Sequence, residues 1–514
     1  MNDWIYASEL YNWTNGDQLL DWLDMFGLES GYAKDEEDEN YIEEADLSVF
    51  TRSKGNEFED RVLDLIRDRF DVQVVDGARG NHDSVYEQTT RLIQQGQEII
   101  YQGLVRDDER RVFGVPDLIV RGDAMDQLVP GSLDGDADTY YVVDIKYKGL
   151  GLNKKGDLSS KHNWEKVQLA LYEGALAKML NRDLARSYIL GRSAGNGSVS
   201  CFDALGWAKP GDPRTLVNVE EGLQWIRDLR EHGKDWTLDP PSDPRLAPNT
   251  KSKNSGDWKG VFEALTASED REVDEVPPVS PAHISANRAD WIENLGIEFY
   301  VDFETLNSLN DDFTKLPNMN GKPMIFMIGC GHEENSDFVF KVWTMEEETY
   351  EEEKRIIEEW LAYMEETRKR LASNIEQPHI FHWFRHEPGE LGKAADRHDQ
   401  PQWKDVPWYD LLKKLMKEEP VMVRGTQGHS LKPITRSMES MGLIETVWAE
   451  SQVSGGTEAM TAAWWCYEQV MKTGVPVREA ALDGRDPLMP EVESYNEVDC
   501  KAMWEILHYL RSNH

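Results

Sequence analysis

Along Tyr140–Lys148 (YYVVDIKYK), Tyr141, Val143, Ile145 and Tyr147 alternate with Tyr140, Val142, Asp144, Lys146 and Lys148. Period two predicts a half-buried β-strand. Its second face begins apolar and then carries an acid and a base two residues apart. Strands are also predicted over 111–121 (RVFGVPDLIVR), 296–308 (GIEFYVDFETLNS), 323–332, 337–345 and, with a turn, 378–391 (PHIFHWFRHEPGEL). Helical periodicity appears over 57–70, 163–180, 346–371 and 494–510, and over 1–30, where Leu19, Leu20, Trp22, Leu23 and Phe26 cluster. Residues 122–139 read as a polar, hairpin-like loop, and no internal repeat is present.

Two stretches rich in Pro, Asn, Ser or acids, 239–258 and 267–285, interrupt these patterns. The acidic run 34–46 (KDEEDENYIEEAD) reads as a solvated linker. The fold class expected is α/β. A helical segment and acidic linker (1–50) precede a first mixed domain (51–235), a linker (236–293) and a second mixed domain (294–514). A chain of 514 residues exceeds what one core supports, which agrees with two domains.

Composition narrows the classes. No apolar run is long enough to span a bilayer, and MNDWIYASEL lacks a signal-peptide pattern. A soluble, cytoplasmic protein without a membrane partner is expected. The four cysteines, Cys201, Cys330, Cys466 and Cys500, are far apart, so no disulfide framework, structural zinc or iron–sulfur cluster is expected. Acids outnumber bases 96 to 56, for a net charge of −40. Spread evenly, that charge would repel nucleic acid; it describes solubility and says nothing of what one cleft binds.

The pair Asp144 and Lys146 is open to two readings. It is an ordinary ion pair on a wet sheet face, or half of a catalytic site. Asp117 lies on the preceding strand, and a hairpin would set it beside Asp144. Neighbouring carboxylates repel unless a cation joins them, and oxygen-only ligands favour Mg²⁺ or Mn²⁺. Glu59 shares a helical face with Val62, Leu63 and Ile66 and can supply a third carboxylate. Gln168 and Tyr172, spaced i, i+4, share another face. The order Gly55-x-x-x-Glu59, Pro116-Asp117, Asp144-x-Lys146, Gln168-x-x-x-Tyr172 resembles the RecB-like branch of the PD-(D/E)XK nucleases over about residues 50–230. The resemblance implies a restriction-endonuclease-like core that cleaves DNA phosphodiesters. Glu59, Asp117 and Asp144 would be its metal ligands, Lys146 a catalytic residue, and Gln168 and Tyr172 substrate contacts. Relatives often carry His where Glu59 stands. Lys154, Lys155 and Lys161, close after the strand, are candidate phosphate contacts.

Asp302 and Glu304 likewise share one strand face, opposite Phe299, Val301 and Phe303. Tyr495 and Asp499 lie i, i+4 on the last helix. His382 and Glu387 lie between, with Asp410 as a rival ligand or a cap, and Lys432 in a loop open to substrate or to a simple turn. The early DxE, middle acid and late Y-x-x-x-D resemble the DEDDy exonucleases of the RNase H-like, DnaQ-like superfamily over about 294–514. The middle motif departs from the family: its usual Asn and Asp, four apart, are replaced by His382 and Glu387, five apart. The resemblance implies that Asp302, Glu304 and Asp499, with Glu387 or Asp410, hold two Mg²⁺ or Mn²⁺ ions roughly 4 Å apart. Tyr495 would orient the attacking water, and His382 and Lys432 would meet substrate.

Together the two resemblances match an arrangement found in predicted microbial and viral nucleases. They imply a metal-dependent nuclease acting on DNA in repair, recombination or genome processing. The alternatives are an RNA 3′→5′ exonuclease and a non-catalytic partner of a helicase. The chain has no P-loop, so no helicase activity of its own is expected.

Overall fold

The computed structural model describes residues 3–35, 41–77, 82–130, 137–183, 186–194, 202, 205–208, 213–238, 240–249, 255–266, 277–292, 296–316, 320–426, 428–448, 453 and 455–514. The chain is mixed α/β and packs as two units. The first comprises Met1–Glu37, Arg52–Glu269 and Asp312–Asn320; the second comprises Asp38–Thr51, Asp270–Asp311 and Gly321–His514. No helix among the described residues is long and apolar enough to cross a membrane.

In the first unit, β1 (Val72–Val74), β2 (Ile99–Tyr101), β3 (Leu118–Arg121), β4 (Tyr140–Leu150), β5 (Ser187–Ala194) and β6 (Leu205–Ala208) form one mixed sheet in that order. The pairs β1–β2 and β4–β5 are parallel and the others antiparallel. β4 is not half-buried as its alternation predicts. Tyr141, Val143 and Ile145 pack with Phe58, Val62, Leu63 and Ile66 of helix α1 (Leu47–Arg67). Tyr140 and Val142 pack on the other face with Val167, Leu171 and Leu176 of α2 (Asn163–Leu180). A central strand covered by helices on both sides has no wet face along its first half. Asp144 is therefore buried, and a bland surface ion pair is excluded there.

The predicted strand 111–121 divides. Val112–Gly114 joins Ile5–Tyr6 and Val105–Asp107 in a small separate sheet, while Leu118–Arg121 becomes β3. Pro116 has no N–H and restricts its neighbour, so the ladder breaks between them. Gly122–Leu128 is a helix rather than a hairpin-like loop, because Ala124, Met125 and Leu128 fall on one helical face and are buried. Residues 131–136 of that segment lie outside the described residues.

The N-terminal segment belongs to the first unit: Leu19, Leu20, Trp22, Leu23 and Phe26 are core residues, and Trp22 Nε1 donates to Gly233 O at 2.7 Å. The acidic run is not solvated at its far end. Ile42 and Ala45 are buried in the second unit, where Thr461 Oγ1 donates to Ala45 O at 2.7 Å. The predicted linker 236–293 is packed in part. Trp258 is buried and bonds Asp24 at 2.8 Å in the first unit. Val279–Ser280 pairs with Met422–Val423 in the second.

One buried carboxyl in the first unit has a pH signature. Glu173, on α2, is held by the Ser187 hydroxyl, and burial raises its pKa from 4.5 to about 8. The folded protein thus keeps a proton that the unfolded chain gives up. Stability from this group falls as pH rises from about 4.5 to about 8 and is level above. Glu173→Gln, which still accepts the Ser187 bond, is expected to gain on wild type through that window, reaching roughly 2–4 kcal/mol at pH 8. Denaturant unfolding at pH 5 and pH 8 checks this; a difference independent of pH would refute it.

In the second unit, β7 (Glu298–Leu306), β8 (Met324–Glu334), β9 (Asp337–Thr344), β10 (His379–His382) and β11 (Trp408–Asp410) form a sheet of order β9-β8-β7-β10-β11. β8 lies antiparallel between β7 and β9, and β10 and β11 continue parallel to β7. Phe299, Val301 and Phe303 face a core with Ile356, Ile357 and Trp360 of α3 (Tyr350–Leu371), to which α4 (His386–Arg397) adds Leu391 and Ala394. On the opposite face Tyr300, with Phe381 and Tyr409, packs with Ile434 of α5 (Leu431–Ser440) and Cys500, Met503 and Leu507 of α7 (Leu488–Asn513). α6 (Gly456–Thr473) adds Ala459, Ala463 and Tyr467 to the first of these cores. Arg511 grips Glu298 at 2.9 and 2.6 Å and fixes the end of α7 to the start of β7. Cys330, Cys466 and Cys500 are buried free thiols, and Cys201 lies outside the described residues.

Candidate functional site

The first unit pairs two of the acids that its sequence motifs single out, and the second gathers three. In the first, the antiparallel register Leu118↔Val143 sets Asp117 beside Asp144. Asp117 Oδ2 accepts from Ile145 N at 2.6 Å, which fixes the carboxylate at the β3–β4 step. Asp144 is 2 % exposed, and Lys146 Nζ stands 2.7 Å from its Oδ2. Burial and then the Asp144 charge push Asp117 well above the usual carboxylate range. Burial alone would lower Lys146, but Asp144 and Asp117 outweigh it and keep the ammonium firmly charged.

Gln168 Nε2 donates to Tyr172 OH at 2.9 Å on α2, and both are buried. Tyr172 responds to Asp144 and Asp117, so this pair borders the acids. Its ring reaches them over Gly114, where a Cβ would stand 2.1 Å from the ring. Glu59 sits on α1 and accepts from Tyr101 OH at 2.8 Å, while Gln102 Nε2 donates to that hydroxyl at 3.0 Å. The motifs did not flag Tyr101 or Gln102. Gln102 adopts φ 55 and donates its N–H to Asp117 O at 2.9 Å, so it shapes the loop before Asp117. Lys154 and Lys155 lie on the exposed turn after β4, and Lys161 is exposed on the turn before α2.

The second unit draws its acids closer. Among the described residues, Asp302, Glu304 and Asp499 are the one set of three acid, His or Cys side chains whose ligand atoms all lie within 4.8 Å of one another. Asp302 and Glu304 project from β7 on the face turned to α7, which brings Tyr495, Asn496 and Asp499 on successive turns. Asn496 Nδ2 donates to Asp302 Oδ2 at 2.7 Å. That close crossing needs Gly329, the register partner of Asp302: a Cβ there would lie 1.7 Å from Asn496 Oδ1. Asn496 was not singled out from the sequence, although its i, i+3 spacing to Asp499 places it on the site face.

Glu387 enters from the first turn of α4, within hydrogen-bonding reach of Asp302. His382, expected to face substrate, is 2 % exposed; its Nδ1 lies 3.1 Å from Glu387 Oε2 and also contacts Phe384 O. It supports Glu387 from behind. Asp410 pairs with His382 across β10–β11, and its Oδ1 accepts from Lys413 N at 2.8 Å. This is a capping bond, and Glu387, not Asp410, is the acid whose charge acts on Asp302, Glu304 and Asp499.

The electrostatics are those of crowded carboxylates. Burial first, then Asp499 and Glu304, raise Asp302 well above its usual range. Glu304 rises to about 8 through burial and Asp499, with Lys432 opposing. Asp499 rises to about 7 through burial, with Lys432 and a Tyr495 hydrogen bond opposing. Burial and the same acids raise Tyr495, so its phenol stays protonated. No family model matches the sequence, and no curated protein matches it.

Proposed function

We propose that this protein is a metal-dependent nuclease hydrolysing DNA phosphodiester bonds, with its principal site at Asp302, Glu304, Glu387 and Asp499. One observation carries the proposal: three carboxylates within 4.8 Å, two buried and one half-buried, a fourth against Asp302, and a protonated phenol bonded to Asp499. The donors are all oxygen and mutually repelling, which suits a hard divalent cation such as Mg²⁺ or Mn²⁺. Asp302, Glu304 and Asp499 would hold it, with Glu387 completing the set. Such ions stabilise charge on the attacking and leaving oxygens of a phosphoryl displacement. Asn496 orients the Asp302 carboxylate, and His382 orients Glu387. Tyr495, through its hydroxyl, positions the attacking water by hydrogen bonding. A five-stranded mixed sheet in which β8 alone runs against the other four strands suits the RNase H-like core that the sequence resemblance implies.

The cluster of Asp117, Asp144 and Lys146, bordered by Gln168 and Tyr172, supports a second PD-(D/E)XK-type site. Its acids are paired rather than gathered in a triad, and Glu59 serves Tyr101. RNA is the alternative substrate, because a carboxylate-held cation acts on the phosphodiester, which DNA and RNA share.

Cleavage of single- and double-stranded DNA and of RNA in Mn²⁺, by wild type, Asp302→Asn, Asp144→Asn and the double variant, tests this. Asp302→Asn is expected to remove most activity, and the double variant all of it. Undiminished cleavage by Asp144→Asn in the Asp302→Asn background would reject the first cluster. A wild type inactive on all three substrates would reject the function.

A further inference from the structure

Lys432 stands in the first turn of α5, half-buried. Its ammonium lies 4.4 Å from the ring centre of Tyr495 and 5.5 Å from that of Trp448. It is 3.8 Å from where a Cβ would sit on Gly455, the residue before α6. The next residue, Gly456, brings the start of α6 toward Glu304: a Cβ there would lie 3.5 Å from Glu304 Oε2. Lys432 thus sits between two aromatic rings, beside Glu304, Asp499 and Glu458, whose charges all act on it.

An ammonium is strongly hydrated, so half-burial is unfavourable unless other groups replace the water. Two ring faces and nearby carboxylates do so in part, although burial still outweighs the acids. Conversely, clustered carboxylates are hard to ionise together without a cation. In the metal-free protein the lysine and the acids therefore offset part of each other's cost, Lys432 opposing the rise of Glu304 and Asp499.

We propose that Lys432 is the resident counter-cation of the acid cluster. It holds Glu304 and Asp499 together before a divalent ion arrives. With a divalent ion held by the acids, the Lys432 ammonium would engage a non-bridging oxygen of the substrate phosphate. This rests on the reading of the cluster as a metal-dependent phosphodiester-cleaving site. It makes Lys432 a competitor of the metal and an ally of the substrate, a combination that a purely structural lysine would not show.

The test uses the full chain as wild type, Lys432→Met and Lys432→Arg, with Lys432→Gln replacing the Met variant if that fails to fold. Mn²⁺ alone is titrated calorimetrically, thermal unfolding is followed in a chelator, and binding of a single-stranded DNA or RNA oligonucleotide is measured in Ca²⁺. Lys432→Met is expected to bind Mn²⁺ about tenfold tighter, because a like charge beside the ion is gone. It should melt at a lower temperature without metal and bind the oligonucleotide about tenfold more weakly. Lys432→Arg should stay within about threefold of wild type in all three, since it keeps the charge. Unchanged or weaker Mn²⁺ binding by a folded Lys432→Met, or an unchanged or higher metal-free melting temperature, would overturn the proposal while leaving the nuclease reading in place. A wild type that takes up no Mn²⁺ would overturn both.

Discussion

Asp499→Ala is expected to abolish Mn²⁺ binding at the second-unit cluster and to lower strand cleavage by at least about 10³-fold. Tyr495→Phe should keep Mn²⁺ affinity within about twofold and slow cleavage by about 10²-fold. The two residues lie one turn apart on α7 and are hydrogen-bonded to each other, yet the roles proposed for them differ. Asp499 is a member of the triad whose oxygens lie within 4.8 Å. Tyr495 offers a hydroxyl that stays protonated because burial and the neighbouring acids disfavour the phenolate. Removing that hydroxyl leaves the carboxylates in place and takes away only the group proposed to position water. Calorimetry with Mn²⁺ and gel assays, both in an Asp144→Asn background that would silence the site proposed in the first unit, separate the two effects. Equal loss of metal in both variants would show that Tyr495 acts through Asp499 rather than on the reacting water.

The largest effect on stability is expected away from the acids. Glu353 of α3 is fully buried. It accepts from Ile325 N at 2.8 Å, from Arg397 at 2.9 and 2.6 Å and from His398 Nε2 at 2.7 Å. Arg397→Met should destabilise the protein by about 3–5 kcal/mol, because it leaves a buried carboxylate short of its strongest partner. Glu353→Gln combined with Arg397→Met should be less damaging than the sum of the two changes, since the uncompensated charge is gone. Arg397 ends the helix that Glu387 begins, so cleavage should also fall at temperatures where Arg397→Met remains folded. Additive losses of melting temperature in the double variant would mean that the network is not coupled.

Much of both candidate sites is legible in the sequence because their residues recur at strand and helix spacings. Asp302 and Glu304 two apart, and Tyr495 and Asp499 four apart, fix faces before any long-range contact is known. Strand alternation cannot tell whether a second sheet covers the other face or a helix does; that is why β4 reads as half-buried although α1 and α2 sandwich it. The role of Asn496 depends on Gly329, 167 residues earlier, and no local pattern joins them. The division of 111–121 follows from Pro116 but also from its two halves finding different partners, which is a tertiary choice. The support that His382 gives to Glu387 is visible only once the strand end and the first turn of α4 are folded together.

The chain passes between its two units several times, and this bears on how the protein is made. Ile42, Ala45, Leu47 and Phe50 leave the ribosome early, but their partners arrive late. Phe50 stacks on Trp464 with ring centres 4.6 Å apart, and Ala45 accepts its bond from Thr461, 416 residues downstream. At typical synthesis rates that interval lasts roughly 20–80 s. For that time an early apolar segment has no place to dock, while most of the first unit is already complete behind it. Nascent chains of this protein should therefore engage holding chaperones through residues 42–50, and release should wait for the emergence of α6.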